Sequence, residues 1–332
     1  MEFVTIDDIR AAAGRVRHAV VRTPLLPCPW AAPDRPLAIK PESLQTVGSF
    51  KIRGAYNALS RLDETVRARG VVTYSSGNHA QAVAYAAREF GVPAHVVMPK
   101  ETPQVKVEAT RRYGAEVIIS GTGEREQVAN EVMTRTGGIL VPPFDHPDVI
   151  AGQGTIGVEV IHDLPAVEVV LVPVSGGGLA SGIGTAVKAL SPEVKVYGVE
   201  PELAADAREG LLAGHRVDWS TEDRNRTIAD ALRSQPSELT FAHLSRVLDG
   251  VIGVSDDEIV GAMRALAFEA RLIVEPGGAT AIAAYLYHAA ELPMGHTVAV
   301  VSGGNPDPEV LLSALGPSIR TPVVHSAYGR AT

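Results

Sequence analysis

The chain has 332 residues, 45% of them hydrophobic, which is enough for the cores of two domains and too apolar for a disordered chain or a small stapled scaffold. A formal charge of -8, with no run of Lys or Arg, argues against nucleic acid or acidic membrane surfaces as the main partner and leaves a small molecule as the expected one. Cys28 is the single cysteine, so one chain forms neither an internal disulfide nor a cysteine metal cage, which suits a reducing cytoplasm.

The first residues, Met1 to Asp8, are acidic and lack the regions of a signal peptide. No apolar run reaches the roughly eighteen residues of a membrane span. The chain is therefore expected to be soluble, mature and cytoplasmic. Residues 5–20 read as an amphipathic helix, with Thr5 as N-cap, Asp7 and Asp8 in the first turn, and Ile6, Ile9, Ala13 and Val16 on one face. Residues 37–40 form a short strand. It leads to Gly48-Ser49-Phe50-Lys51-Ile52-Arg53-Gly54, the start of an Ala/Leu-rich helix. A lysine at a helix N-terminus is disfavoured by the dipole, so Lys51 needs another reason to be there.

From Gly70 a regular beat begins. Strands are expected at 71–74, 94–98, 116–119 and 139–141, separated by helices around 80–90, 103–113 and 124–134. The beat continues with a helix through 156–160, a strand at 169–174, a helix at 179–190 and a strand at 194–199. Residues 201–249 are less regular and richer in charge. A strand at 251–254, helices around 256–271 and 279–290, and a strand at 297–301 complete the pattern. Such alternation is the signature of βαβ units on parallel sheets, here as two α/β layers with a cleft between them.

Three turns lie at the C-terminal ends of expected strands, where open α/β sheets bind ligands. Ser75-Ser76-Gly77-Asn78-His79 opens a helix of small residues and offers amides and hydroxyls to a carboxylate. Ser175-Gly176-Gly177-Gly178-Leu179 lets backbone amides approach a phosphate. It lacks the lysine of a Walker loop. Gly176 and Gly178 fit a dinucleotide fingerprint, but Ser181 stands at its sixth position; Glu200, ending the next strand, keeps a nicotinamide dehydrogenase open at this point. Ser302-Gly303-Gly304-Asn305 offers a neutral hydrogen-bond donor to a heteroaromatic nitrogen. A lysine, a phosphate cradle, a carboxylate site and such a donor are what pyridoxal phosphate chemistry requires.

The chain resembles the fold-type II pyridoxal-phosphate family of threonine/serine dehydratases (ammonia-lyases) and serine racemases. The matching stretches lie at 40–57, 75–87, 149–155, 173–182, 198–201, 227–230, 275–276 and 302–305, in family order. The resemblance implies a tryptophan synthase β-like α/β fold of two parallel-sheet domains. Residues 1–68 and 146–332 form the large cofactor-binding domain and residues 69–145 the small one, with the active site in the cleft. It implies that Lys51 bonds the cofactor beside Phe50, that Asn78 meets the ring hydroxyl, that Gly176, Gly177, Gly178 and Leu179 hold the phosphate, and that Glu275 and Ser302 complete the cofactor site. Ser75, Ser76, Asn78 and His79 would receive the substrate carboxylate. Glu200, the Ala204 carbonyl and Asp206 match the divalent-cation site of the racemase-like members, suited to Mg or Ca. A homodimer is expected.

The implied reaction is loss of water from L-threonine or L-serine to a 2-keto acid and ammonia, with Lys51 as base. Ser76 stands where the family's racemases carry serine and many biosynthetic dehydratases alanine, so side racemase activity is expected. Phe144-Asp145 resembles the bacterial dehydratase pattern and favours dehydratase over dedicated racemase. Ala231 and Pro306 depart from the family pattern near expected active-site walls, which keeps 3-hydroxyaspartate open as the main substrate; Arg125 could bind its extra carboxylate, though an ordinary helix arginine is the plainer role. A non-catalytic pyridoxal-phosphate carrier is the remaining alternative. The chain ends some thirty residues after Ser302, so no regulatory domain is expected.

Overall fold

The central strands are apolar on both faces, as a parallel sheet covered by helices on both sides requires. The computed structural model describes residues 2–316. Its strands are β1 (Leu26–Pro27), β2 (Leu37–Pro41), β3 (Val71–Tyr74), β4 (Ala94–Pro99), β5 (Glu116–Ser120), β6 (Ile139–Leu140), β7 (Val169–Pro173), β8 (Lys195–Pro201), β9 (Gly250–Val254) and β10 (Thr297–Val301). They form a six-stranded sheet in the order β1-β2-β10-β7-β8-β9 and a four-stranded sheet in the order β5-β4-β3-β6. Among these strands only the β1–β2 pair is antiparallel.

Alternation along each strand divides the cores. Val169, Leu171, Ala299 and Val301 pack on the Pro276–Tyr287 helix. Val170, Val172, Val298 and Val300 point the other way, onto the Gly178–Leu190 helix. In the smaller sheet Val71, Val96 and Met98 meet the alanines of the Asn78–Phe90 helix, while Val72 and Val97 meet Ala129 and Val132 of the Arg125–Thr136 helix.

Some expectations shift. The first helix covers Ile6–Val16, with the Thr5–Asp8 capping box in place, and ends where the amides of Ala19 and Val20 both turn back to the Val16 carbonyl. The expected 256–271 helix is regular over Asp256–Ala265 and then widens into a π-turn, Leu266–Ala270. Arg271 closes it with φ 61°, and Leu272 reaches back to the Leu266 carbonyl. The charged 201–249 segment contains helices Asp206–Ala213 and Glu238–Val247, and the Pro308–Leu315 helix follows β10. Among the described residues no helix is long and apolar enough to cross a membrane.

One buried polar cluster ties the elements around Lys51 together. Arg53 is fully buried and forks onto Glu42 through Nε and Nη2 (2.7 and 2.8 Å). Its Nη1 donates to Glu159 and Thr155 (2.7 and 3.0 Å). Lys40 donates to Glu159 at 2.5 Å and to the Thr23 carbonyl at 2.6 Å, and the Thr23 hydroxyl closes the ring on Glu42 at 2.7 Å. Burial alone would raise the Glu42 carboxyl; the adjoining Arg53 and Lys40 charges hold it below its ordinary range. Two cations face two carboxylates, so the cluster is neutral and well hydrogen-bonded. The Pro147–Asp163 helix, which carries Thr155 and Glu159, approaches closely because Gly152 has no side chain: a β-carbon there would lie 2.5 Å from the Arg53 carbonyl oxygen.

Removing one member of such a cluster leaves the others buried and unpaired. Arg53→Met is expected to lower the unfolding free energy by about 3–5 kcal/mol, measured by urea titration; a loss below about 1 kcal/mol would show the pairs to be as weak as exposed ones.

Candidate active site

The lysine loop is stitched to the turn after β10. Ser49 and Gly303 form an isolated antiparallel bridge, the Phe50 amide donates to the Ser302 carbonyl at 3.1 Å, and the Gly304 amide donates to the Gly48 carbonyl at 2.8 Å. Lys51 begins the Lys51–Arg61 helix. Its Nζ donates to the Pro143 carbonyl at 2.7 Å and stands 5.1 Å from the Phe50 ring centre. Loss of hydration pushes its pKa down to about 8, against the opposing pull of the Glu275 charge. Near neutrality this lysine surrenders its proton far more readily than a surface one. Ser302 is buried, and its hydroxyl is within 3.4 Å of the Gly277 carbonyl.

The loop after β3 faces this turn from the smaller sheet. Asn78, at the start of the Asn78–Phe90 helix, donates to Glu275 at 2.5 Å and accepts from Asn305 at 2.8 Å. That leaves one N–H and one lone pair of its amide uncommitted. Glu275 is buried as the N-cap of its helix; burial first, and then the Asp230 charge, push its pKa up to about 7, while Lys106 and Asn78 restrain it. Ser76 is exposed, and the Ser75 hydroxyl accepts from the Gly77 amide at 3.3 Å. His79 turns inward instead: its Nε2 meets the Val141 carbonyl at 2.9 Å and the ring is buried. Burial and the Lys51 charge lower its pKa to about 3, so it is neutral. Its Nε2 is committed to the Val141 carbonyl and its Nδ1 is buried without a hydrogen-bond partner, so what it offers a carboxylate is the backbone amide of the first helical turn.

The glycine loop after β7 is kept bare of side chains. A β-carbon on Gly176 would overlap the Phe144 ring, and one on Gly177, whose φ is +86°, would lie 2.9 Å from Thr240 Cβ. Gly178 and Leu179 start the Gly178–Leu190 helix, so their amides have no intrahelical acceptor. A cradle of small residues at a helix N-terminus, with a pKa-lowered lysine at another helix start and a buried serine at a strand end, fits a phosphate-bearing aldehyde such as pyridoxal phosphate.

Glu200 ends β8 buried, and its two oxygens accept from the amides of Ala207 and Arg208 at 3.2 and 2.8 Å. Asp206 is also buried, and its Oδ2 has no hydrogen-bond partner. Burial, then the Asp206 charge, raises the Glu200 pKa well above its ordinary value; burial raises that of Asp206 to about 6. Two desolvated carboxylates stand beside the Ala204 turn, and oxygen donors of this kind suit a hard divalent cation. Among the described residues no cluster of three or more His, Cys, Asp or Glu side chains forms, so carbonyl and water would have to complete any coordination here.

The structure adds contacts that pattern reading passes over. Pro143 and Phe144 meet the lysine and the glycine loop, and Asn305 links Asn78 to the Val47 carbonyl at 2.9 Å. Asn305 lies inside the Ser302 turn and was visible there; a proline carbonyl has no sequence signal. Arg125 stacks 5.5 Å over the ring of Tyr74, the residue before Ser75.

In cofactor-free protein, reductive methylation of Lys51 needs the neutral amine. Its rate is expected to rise with pH to a midpoint near 8, ahead of the exposed Lys195, as read by peptide mass spectrometry; labelling that tracks Lys195 would contradict the low pKa.

Comparison with known proteins agrees with this arrangement. The model of the family described as pyridoxal-phosphate dependent enzyme matches residues 16–303. An L-threonine ammonia-lyase of Thermotoga maritima is 42% identical over 92% of this chain and 76% of its own. An L-threo-3-hydroxyaspartate ammonia-lyase of Saccharomyces cerevisiae is 40% identical over 91% of this chain and 94% of its own. The solved structure of maize serine racemase superposes with a TM-score of 0.89 at 36% identity, covering 95% of this chain and 97% of that one. With the two sheets, the strand-end turns and these relatives in agreement, the chain belongs to the fold-type II pyridoxal-phosphate dependent enzymes, in their ammonia-lyase and racemase group.

Proposed function

We propose that this enzyme removes water from a β-hydroxy amino acid of the L-threonine or L-serine type, releasing a 2-keto acid and ammonia, with racemisation as a side reaction. The observation that carries this reading is Lys51: a lysine with a pKa near 8, held against Phe50 and the Pro143 carbonyl between the Ser302 turn and the Ser75 loop. The cleft lies between residues 1–68 and 146–332 on one side, read as the large domain, and 69–145 on the other.

When bound, pyridoxal phosphate supplies an electron-withdrawing ring at the substrate's α-carbon. Amides of Gly176, Gly177, Gly178 and Leu179 hold its phosphate, Phe50 and Asn78 border the ring, Glu275 fixes Asn78, and Ser302 gives the ring nitrogen a neutral partner. Ser75, Ser76, Asn78 and the His79 amide hold the substrate carboxylate at a helix N-terminus, where negative charge is favoured. Lys51, as the neutral amine, takes the α-proton. A serine opposite the ring nitrogen cannot donate a full proton, so charge leaves through the β-hydroxyl sooner than it would with an acidic partner. The Ser76 hydroxyl, exposed on the other side of the cleft, can return a proton to the α-carbon and so invert it. Glu200, the Ala204 carbonyl and Asp206 hold a divalent cation, Mg or Ca, that relieves the repulsion between two buried carboxylates.

A second reading, 3-hydroxyaspartate as the main substrate, is favoured by Arg125: its guanidinium over Tyr74 stands within one residue of the carboxylate loop and could meet a second carboxylate.

The test is keto-acid release and enantiomer analysis on L-serine, L-threonine and threo-3-hydroxyaspartate, with and without chelator, for the wild type and Ser76→Ala. Elimination is expected from the wild type, reduced by chelator and restored by Mg or Ca. Ser76→Ala is expected to lose D-serine formation by about a hundredfold while keeping most elimination. Undiminished D-serine would remove Ser76 from that role, and no keto acid from any of the three would overturn the dehydratase.

A further inference from the structure

Two polar bridges cross from the smaller sheet to the larger one beside the Ser75 loop. One is the Asn78 link to Glu275 and Asn305. The other has so far entered only through its charges, which act on Glu275. Lys106, in the first turn of the Gln104–Arg112 helix, is only 8% exposed, and its ammonium is ion-paired with Asp230. Asp230 opens the Asp230–Leu232 turn of the other half. That turn is itself anchored: the Thr227 hydroxyl donates to Asp256 at 2.6 Å, the Ile228 amide donates to the same carboxylate at 3.0 Å, and Ala229 is fully buried. The Lys106 Nζ also lies 4.0 Å from where a β-carbon on Gly77 would be, so it borders the carboxylate loop directly.

An exposed ion pair contributes little because both ions keep most of their water. Lys106 has given up nearly all of its own, so its position depends on Asp230. The loop Ser75–Gly77 is thereby flanked on one side by Asn78 and on the other by Lys106, and each of these is fastened across the cleft. We propose that the Lys106–Asp230 pair is a positioning clamp, which sets the distance between the substrate-carboxylate loop and the half of the molecule that bears Lys51, Ser302 and the glycine loop. Lys106 touches neither cofactor nor substrate in this account; it acts through the loop. The proposal rests on the reading of Ser75 to His79 as the carboxylate site.

A clamp of this kind affects how tightly the amino acid is held more than how fast it reacts. Lys106→Met and Asp230→Asn are each expected to raise KM about tenfold while changing kcat less than about threefold. Lys106→Arg, which keeps the charge, should recover most of the loss. The double variant Lys106→Met/Asp230→Asn should be no worse than either single one, because both break the same contact. Wild-type KM in Lys106→Met, or single effects that simply add in the double variant, would overturn the clamp. Binding of L-alanine, which has no β-hydroxyl to lose, read from the change in cofactor absorption, gives the same comparison without elimination, so a failure of the proposed reaction and a failure of the clamp read out separately.

Discussion

The buried Arg53 cluster is the constraint on which the site depends. Arg53 stands two residues after Lys51 on the same helical turn, and its guanidinium is held by Glu42 from the end of β2 and by Glu159 from the Pro147–Asp163 helix. Lys40 and Thr23 close the ring. A charged group this deep is tolerated only because its donors are matched to acceptors and the two positive charges to two negative ones. The geometry that satisfies Arg53 therefore also fixes the direction in which the helix starts, and with it the point from which the Lys51 side chain leaves. A lysine at a helix N-terminus, disfavoured by the dipole, is held there by ion pairs made two residues further along the same turn.

Around that point the chemistry is arranged with few full charges. Lys51 is pushed toward the neutral amine, Glu275 toward the neutral acid, and His79 is kept neutral. Ser302, the bare glycine loop and the first-turn amides of the Asn78–Phe90 helix contribute dipoles instead of ions. A cleft built this way leaves the phosphate and carboxylate of its ligands as its main negative charges, and it meets both with helix N-termini. Ser302, the glycine loop and the Ser75 loop follow parallel strands, while Lys51 and Glu275 stand at the starts of helices, and together they bring residues more than 200 positions apart into one site.

Much of this is legible in the sequence because turn chemistry is local. Ser75-Ser76-Gly77-Asn78, three glycines after a β-branched strand, and Ser302-Gly303-Gly304 announce themselves within five residues, and the parallel strands follow from a beat of alternating apolar runs and helices. The longer-range pairings are not local. Lys40, Glu42, Arg53 and Glu159 read as ordinary charged residues, and only folding shows that they are buried together. The inward turn of His79 depends on the Val141 carbonyl, which no side-chain pattern reveals. The π-turn at Leu266–Ala270 carries neither proline nor glycine to mark it; it arises where Arg271 takes a left-handed conformation and Leu272 reaches back to Leu266.

The central claim is that this lysine, and no other, carries the cofactor. Incubating the protein with pyridoxal phosphate, reducing with borohydride and mapping the adduct by peptide mass spectrometry tests it directly. The account predicts a single adduct on the peptide containing Lys51, absent from Lys51→Ala. An adduct on Lys40 or Lys106, or one that persists in Lys51→Ala, would contradict it.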